Sequence, residues 1–103
     1  GTDAPVEDVD PVKCFYSAVT RKLSDGLTFY SEQKMTRLEA LKSYTVNGAY
    51  ASFEENIKGM LKPGMLADIT VLSNNLLTCT DEEILNTKVL YTIVNGKIAY
   101  KQL

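Results

Sequence analysis

The 103-residue sequence predicts an α+β domain, with helices packed on a small and mostly antiparallel sheet. Three observations carry that prediction. Apolar residues recur at helical spacing in the first half of the chain. They alternate with a period of two near its end. Asn95-Gly96 sits at the centre of that alternation, where a two-residue hairpin turn needs it. Residues 1–55 therefore read as a loop plus helices, and 56–103 as three or four strands with one helical turn.

The first ten residues read as loop, with Pro5 and four carboxylates: Asp3, Glu7, Asp8 and Asp10. Asp10 is a good N-cap, and Pro11 occupies the first helical position, where its missing N–H costs nothing. Val12, Phe15, Tyr16, Val19 and Leu23 then form one apolar stripe on a helix over 11–23. Ser24-Asp25-Gly26 ends it, with Gly26 as the expected left-handed cap. Residues 27–34 connect. Thr36-Arg37-Leu38-Glu39 is a capping box that opens the clearest helix in the chain. Leu38, Leu41 and Tyr44 or Thr45 continue its stripe, Asn47-Gly48 interrupts it, and helical composition resumes over 49–55.

Beyond Asn56 the texture turns to β. A short strand is expected over 57–61, bounded by Gly59. Lys62-Pro63-Gly64 has the residue order of a type II turn. Residues 67–72 read as a strand with Ile69 and Val71 on one face. Thr80-Asp81-Glu82-Glu83 is a second capping box, opening one helical turn to about Leu85. Residues 88–100 read as a β-hairpin.

Composition excludes several functions. The sequence has no histidine, so it holds no Ser/His/Asp or Cys/His nucleophilic system and no imidazole metal site. Cys14 and Cys79 are far apart and form no CxxC pair; two buried thiols in a reducing compartment are the expectation, with one disulfide the alternative. A net charge of −2 with scattered bases argues against nucleic acid and against anionic membrane. No apolar run approaches the roughly 18 residues that span a bilayer. No signal peptide is visible, and a cytoplasmic setting is expected.

Few residues suggest chemistry by themselves. The four N-terminal acids are spaced like ligands for a hard cation, but the glycine and terminal glutamate of an EF-hand loop are missing. Glu54-Glu55 and Glu82-Glu83 read as helix-associated acids. Asp68, at the start of a buried-looking strand, is expected to accept backbone N–H bonds from the adjacent turn. The six tyrosines read as core, and Arg21 as surface. Taken alone, the residues describe an α+β domain with no visible catalytic centre, and an independent binding or scaffolding module fits them.

Several stretches in order change the reading. Gly1-Thr2-Asp3-Ala4-Pro5-Val6-Glu7 is followed by Ala18-Val19-Thr20-Arg21, then by Leu38-Glu39-Ala40-Leu41 and Tyr44-Thr45-Val46-Asn47-Gly48-Ala49-Tyr50-Ala51. Next come the run from Lys58 through Lys62-Pro63-Gly64 to Asp68-Ile69, and finally Thr92-Ile93-Val94-Asn95-Gly96-Lys97. Together they cover almost the whole chain. They resemble the C-terminal end of amidohydrolase family 3, the branch with D-aminoacylase-like and N-substituted formamide deformylase-like enzymes.

The resemblance implies a parent enzyme with a (β/α)8 barrel and a divalent metal, zinc being the expectation. Such an enzyme hydrolyses non-peptide C–N bonds of small amide-type substrates through metal-activated water. Asp3 is the one position the resemblance carries over, as metal ligand and general base. It further implies that residues 1–55 end the barrel domain, as the loop after strand eight and the C-terminal helices. Residues 56–103 would belong to the flanking β-sandwich. The histidines of the family pattern are absent from these 103 residues. The chain is therefore expected to be a piece of a longer enzyme, inactive alone, because one carboxylate falls short of the three protein ligands a catalytic zinc uses. Strands without their partners are expected to make the isolated chain self-associate through its β half, or rearrange to cover it.

Overall fold

A computed structural model describes residues 9–23 and 25–103. The order of elements is α1 (Pro11–Thr20), a 3-10 turn (Ser31–Gln33), α2 (Arg37–Ser43), α3 (Val46–Ala51), β1 (Ile69–Leu72), α4 (Asp81–Leu85), β2 (Val89–Val94) and β3 (Lys97–Lys101). The three strands form one antiparallel sheet in the order β1-β2-β3. The α+β class is as expected.

Local chemistry sets the helix starts. The Val12 N–H donates to Asp10 Oδ1 at 2.9 Å, and Pro11 occupies the first turn. Both capping boxes close in both directions, Thr36 with Glu39 and Thr80 with Glu83. The ends differ from the sequence reading. Helix α1 stops at Thr20, because Arg21 takes the left-handed conformation (φ 58°) and its N–H donates to the Ser17 carbonyl. Gly26 is left-handed too, but it serves the next loop, where its N–H donates to the Leu23 carbonyl at 3.0 Å.

The α2–α3 break falls at Tyr44 and Thr45, and Asn47-Gly48 lies inside α3. The Tyr44 and Thr45 N–H groups reach back only three residues, to the Leu41 and Lys42 carbonyls, and the Thr45 hydroxyl donates to the Leu41 carbonyl. A tightened last turn and a competing side-chain bond end the helix there. Helix α3 stops at Ala51, short of the expected 55, and Phe53 follows in the left-handed region at φ 61°.

The strand expected over 57–61 is absent; turns and bends occupy 57–60, and Leu61 has no regular structure. Gly59, at φ +101°, lies against α3, and a Cβ there would sit 3.0 Å from the Ala49 Cβ and 3.3 Å from the Val46 Cα. Close packing on a helix takes precedence over β-pairing at this point. Gly59→Ala is expected to destabilise the chain by at least about 1 kcal/mol, since left-handed strain and steric overlap add. Gly26→Ala, also left-handed but open on all sides, controls for strain alone. Urea unfolding of the two variants checks this; equal losses would remove the packing argument.

The sheet follows the sequence more closely. The Met65 N–H donates to the Lys62 carbonyl at 3.2 Å with Gly64 at φ +91°, which is the expected type II turn. Asn95 and Gly96 have φ of 50° and 77°, both positive as the hairpin turn requires. Ile69 pairs with Ile93, and Ile93 with Ile98, so one apolar row crosses the sheet. An irregularity between Val71 and Leu72 breaks the alternation in β1: Ile69 and Leu72 are half-buried while Val71 is exposed. Ile69 and Val71, opposite Ile93 and Tyr91, share a face as expected, with Val71 the more exposed of the two.

The core lies among the helices. Phe15 and Val19 of α1 meet Ala40 of α2 and Ile84 of α4, with Tyr16, Leu41, Leu76 and Cys79 packed around them. Its members come from both sides of position 55. Among the described residues the helices pack chiefly on one another, α1 against α2 and α4 and α2 against α3, instead of on the sheet as expected. All of β3 is exposed. The tyrosines are not core: Tyr30, Tyr50 and Tyr100 are exposed, and Tyr16, Tyr44 and Tyr91 half-buried.

Candidate functional site

Asp3, the residue expected to carry chemistry, lies outside the described residues, as do Glu7 and Asp8. Asp10 is the described member of the acidic set, and its carboxylate is occupied as the cap of α1. Among the described residues no group of three or more His, Cys, Asp or Glu is placed to hold a metal ion. These residues therefore do not fit a catalytic metal, which needs a convergent ligand set.

An open cleft of about 820 Å³ lies between the helices and the sheet. Helices α2 and α3 form one wall through Leu41, Tyr44 and Ala49. The sheet forms the other through Ile69, Leu72 and Ile93, and Met60 and Leu61 lie at its rim. Its two charged residues are both engaged. Lys58 pairs with Glu54 at 2.9 Å, and this bond, aided by the Ser52 hydroxyl, holds the Glu54 carboxyl below the usual carboxylate range. Asp68 accepts the Asn95 N–H at 2.8 Å, and the Gly96 N–H donates to the Ala67 carbonyl at 2.9 Å. The capping role expected of Asp68 is present, although Asp68 is exposed and its donor is the β2–β3 turn. A wall of apolar side chains with its charges already paired suits packing more than bond-making.

Two arginines organise the surroundings. Arg21 was legible only as surface, yet its Nε donates to the Phe29 carbonyl at 2.9 Å and its guanidinium lies over the Phe29 ring at 5.4 Å. The Phe29 N–H returns a bond to the Arg21 carbonyl at 2.8 Å, so this residue ties down the loop after α1. Arg37 is the residue that sequence reasoning missed. From the first position of α2 its Nη1 donates to the Leu76 carbonyl and its Nη2 to Asp81 Oδ1, each at 2.7 Å. The partners lie 39 and 44 positions away, and no local pattern announces such a contact. Arg37 thereby joins the start of α2 to the start of α4.

Cys14 and Cys79 are both free and half-buried, less sequestered than expected. Burial, then the neighbouring Cys14, push the Tyr44 hydroxyl up to about 12. A pKa raised above the ordinary 10.0 means that the neutral phenol is stabilised by the fold. That contribution is complete below about pH 10 and is lost as pH rises through about 12. Stability is expected to fall across this interval, and Tyr44→Phe to reduce the fall. Thermal melts at stepped pH check this, and an identical alkaline loss in the variant would contradict it.

The described residues form an α+β segment with a helical core and a three-stranded antiparallel sheet. The chain belongs to the amidohydrolase family, whose family model matches residues 1–100. It is 33 % identical to the putative amidohydrolase YtcJ of Bacillus subtilis over 99 % of this chain and 20 % of that protein. It is 30 % identical to the N-substituted formamide deformylase of Arthrobacter pascens, over 98 % of this chain and 19 % of the relative. It is also 32 % identical to the protein LONG AFTER FAR-RED 3 of Arabidopsis thaliana, over 97 % and 17 %. The chain thus spans about one fifth of the length of these curated relatives. No solved structure matches it.

Proposed function

We propose that these residues are the C-terminal part of a longer, metal-dependent amidohydrolase that cleaves non-peptide C–N bonds in small amide-type substrates. The observation that carries this reading is the family match from residue 1 to 100, combined with coverage of only a fifth of each relative. The name of the formamide deformylase supports an N-substituted amide as the substrate class. In this reading residues 1–55 end a (β/α)8 barrel and 56–103 contribute to its flanking sandwich. Asp3 is the proton acceptor for the hydrolytic water and one ligand of a divalent metal, zinc first among the candidates. The described residues do not supply the remaining ligands.

The described residues support the scaffold. Arg37 joins the helices, and the Asn95-Gly96 turn holds the 67–68 segment in place. The isolated 103 residues are inactive in this account and self-associate through their exposed strands, β1 and β3 being edges with no described partner beyond β2. Free thiols at Cys14 and Cys79 support a reducing, cytoplasmic setting. None of the described helices is long and apolar enough to cross a membrane.

The test uses the gene read to the length of its relatives. The purified protein is assayed against N-substituted formamides and N-acyl amino acids, before and after chelation and after return of zinc. Turnover that disappears on chelation and returns with the metal is expected. A protein of that length with no amide hydrolysis would favour the scaffolding alternative, and turnover indifferent to chelation would remove the metal.

A further inference from the structure

No further inference is drawn: the strongest candidate, the apolar cleft between α2–α3 and the β1–β2 strands, carries nothing because nothing in the structure shows what covers it.

Discussion

Ile84→Ala is expected to remove about 2–5 kcal/mol of stability, enough to leave much of the isolated chain unfolded. Ile84 is fully buried, the one large side chain among the described residues to be so. It stands on α4, a helix of only five residues, which has no stability of its own at that length. Its capping box fixes where it starts, and the seat of Ile84 among Phe15, Val19 and Ala40 keeps it folded. Truncation leaves a cavity that the two flanking helices, α1 and α2, cannot fully close. Ile84→Val is expected to cost about 0.5–1.5 kcal/mol, so a graded series remains measurable if alanine fails to fold. Leu85→Ala, at a neighbouring position that is 48 % exposed, is expected to have a much smaller effect. Urea unfolding followed by circular dichroism reads all three. Equal losses at Ile84 and Leu85 would mean that the helical core is not where the stability lies.

The largest effect on activity is expected at Asp3. In the protein of relatives' length, Asp3→Asn keeps the volume of the side chain and removes its capacity to accept a proton. A general base contributes about 10²–10⁴-fold, so kcat should fall by that order with helix content unchanged. Asp68→Asn is the internal control. Asp68 is an exposed carboxylate bonded to a backbone N–H, so its loss should leave kcat as it was and weaken only the local turn. The opposite pattern, turnover lost at Asp68 and retained at Asp3, would move the chemistry into the cleft and overturn the assignment.

Much of this fold is legible in short-range pattern. Thr36, Glu39, Thr80 and Glu83 mark helix starts because a capping box is a contract between residues three apart. Asn95-Gly96 marks the hairpin because its turn demands two positive φ angles. Features decided at long range were not legible. Gly59 is held in a bend by its contact with Val46 and Ala49, where local texture suggests a strand. The α2–α3 break at Thr45 is local but equally hidden, because it depends on a hydroxyl choosing a carbonyl four residues back, while the glycine that looked like the interruption fits inside α3. The Arg37 contacts with Leu76 and Asp81 require α4 to be folded back on α2. The exposed tyrosines mislead for a related reason: periodicity places them on a face without saying whether anything covers it. The candidate site was legible only through family resemblance, because a single carboxylate in an acidic loop has no chemical signature by itself.

The most direct measurement assays amide hydrolysis by the 103-residue chain and by the protein of relatives' length in parallel, at equal concentration and with added zinc. The account predicts product from the longer protein and none from the 103 residues. Zinc-dependent product from the 103 residues alone, or none from either, would contradict it.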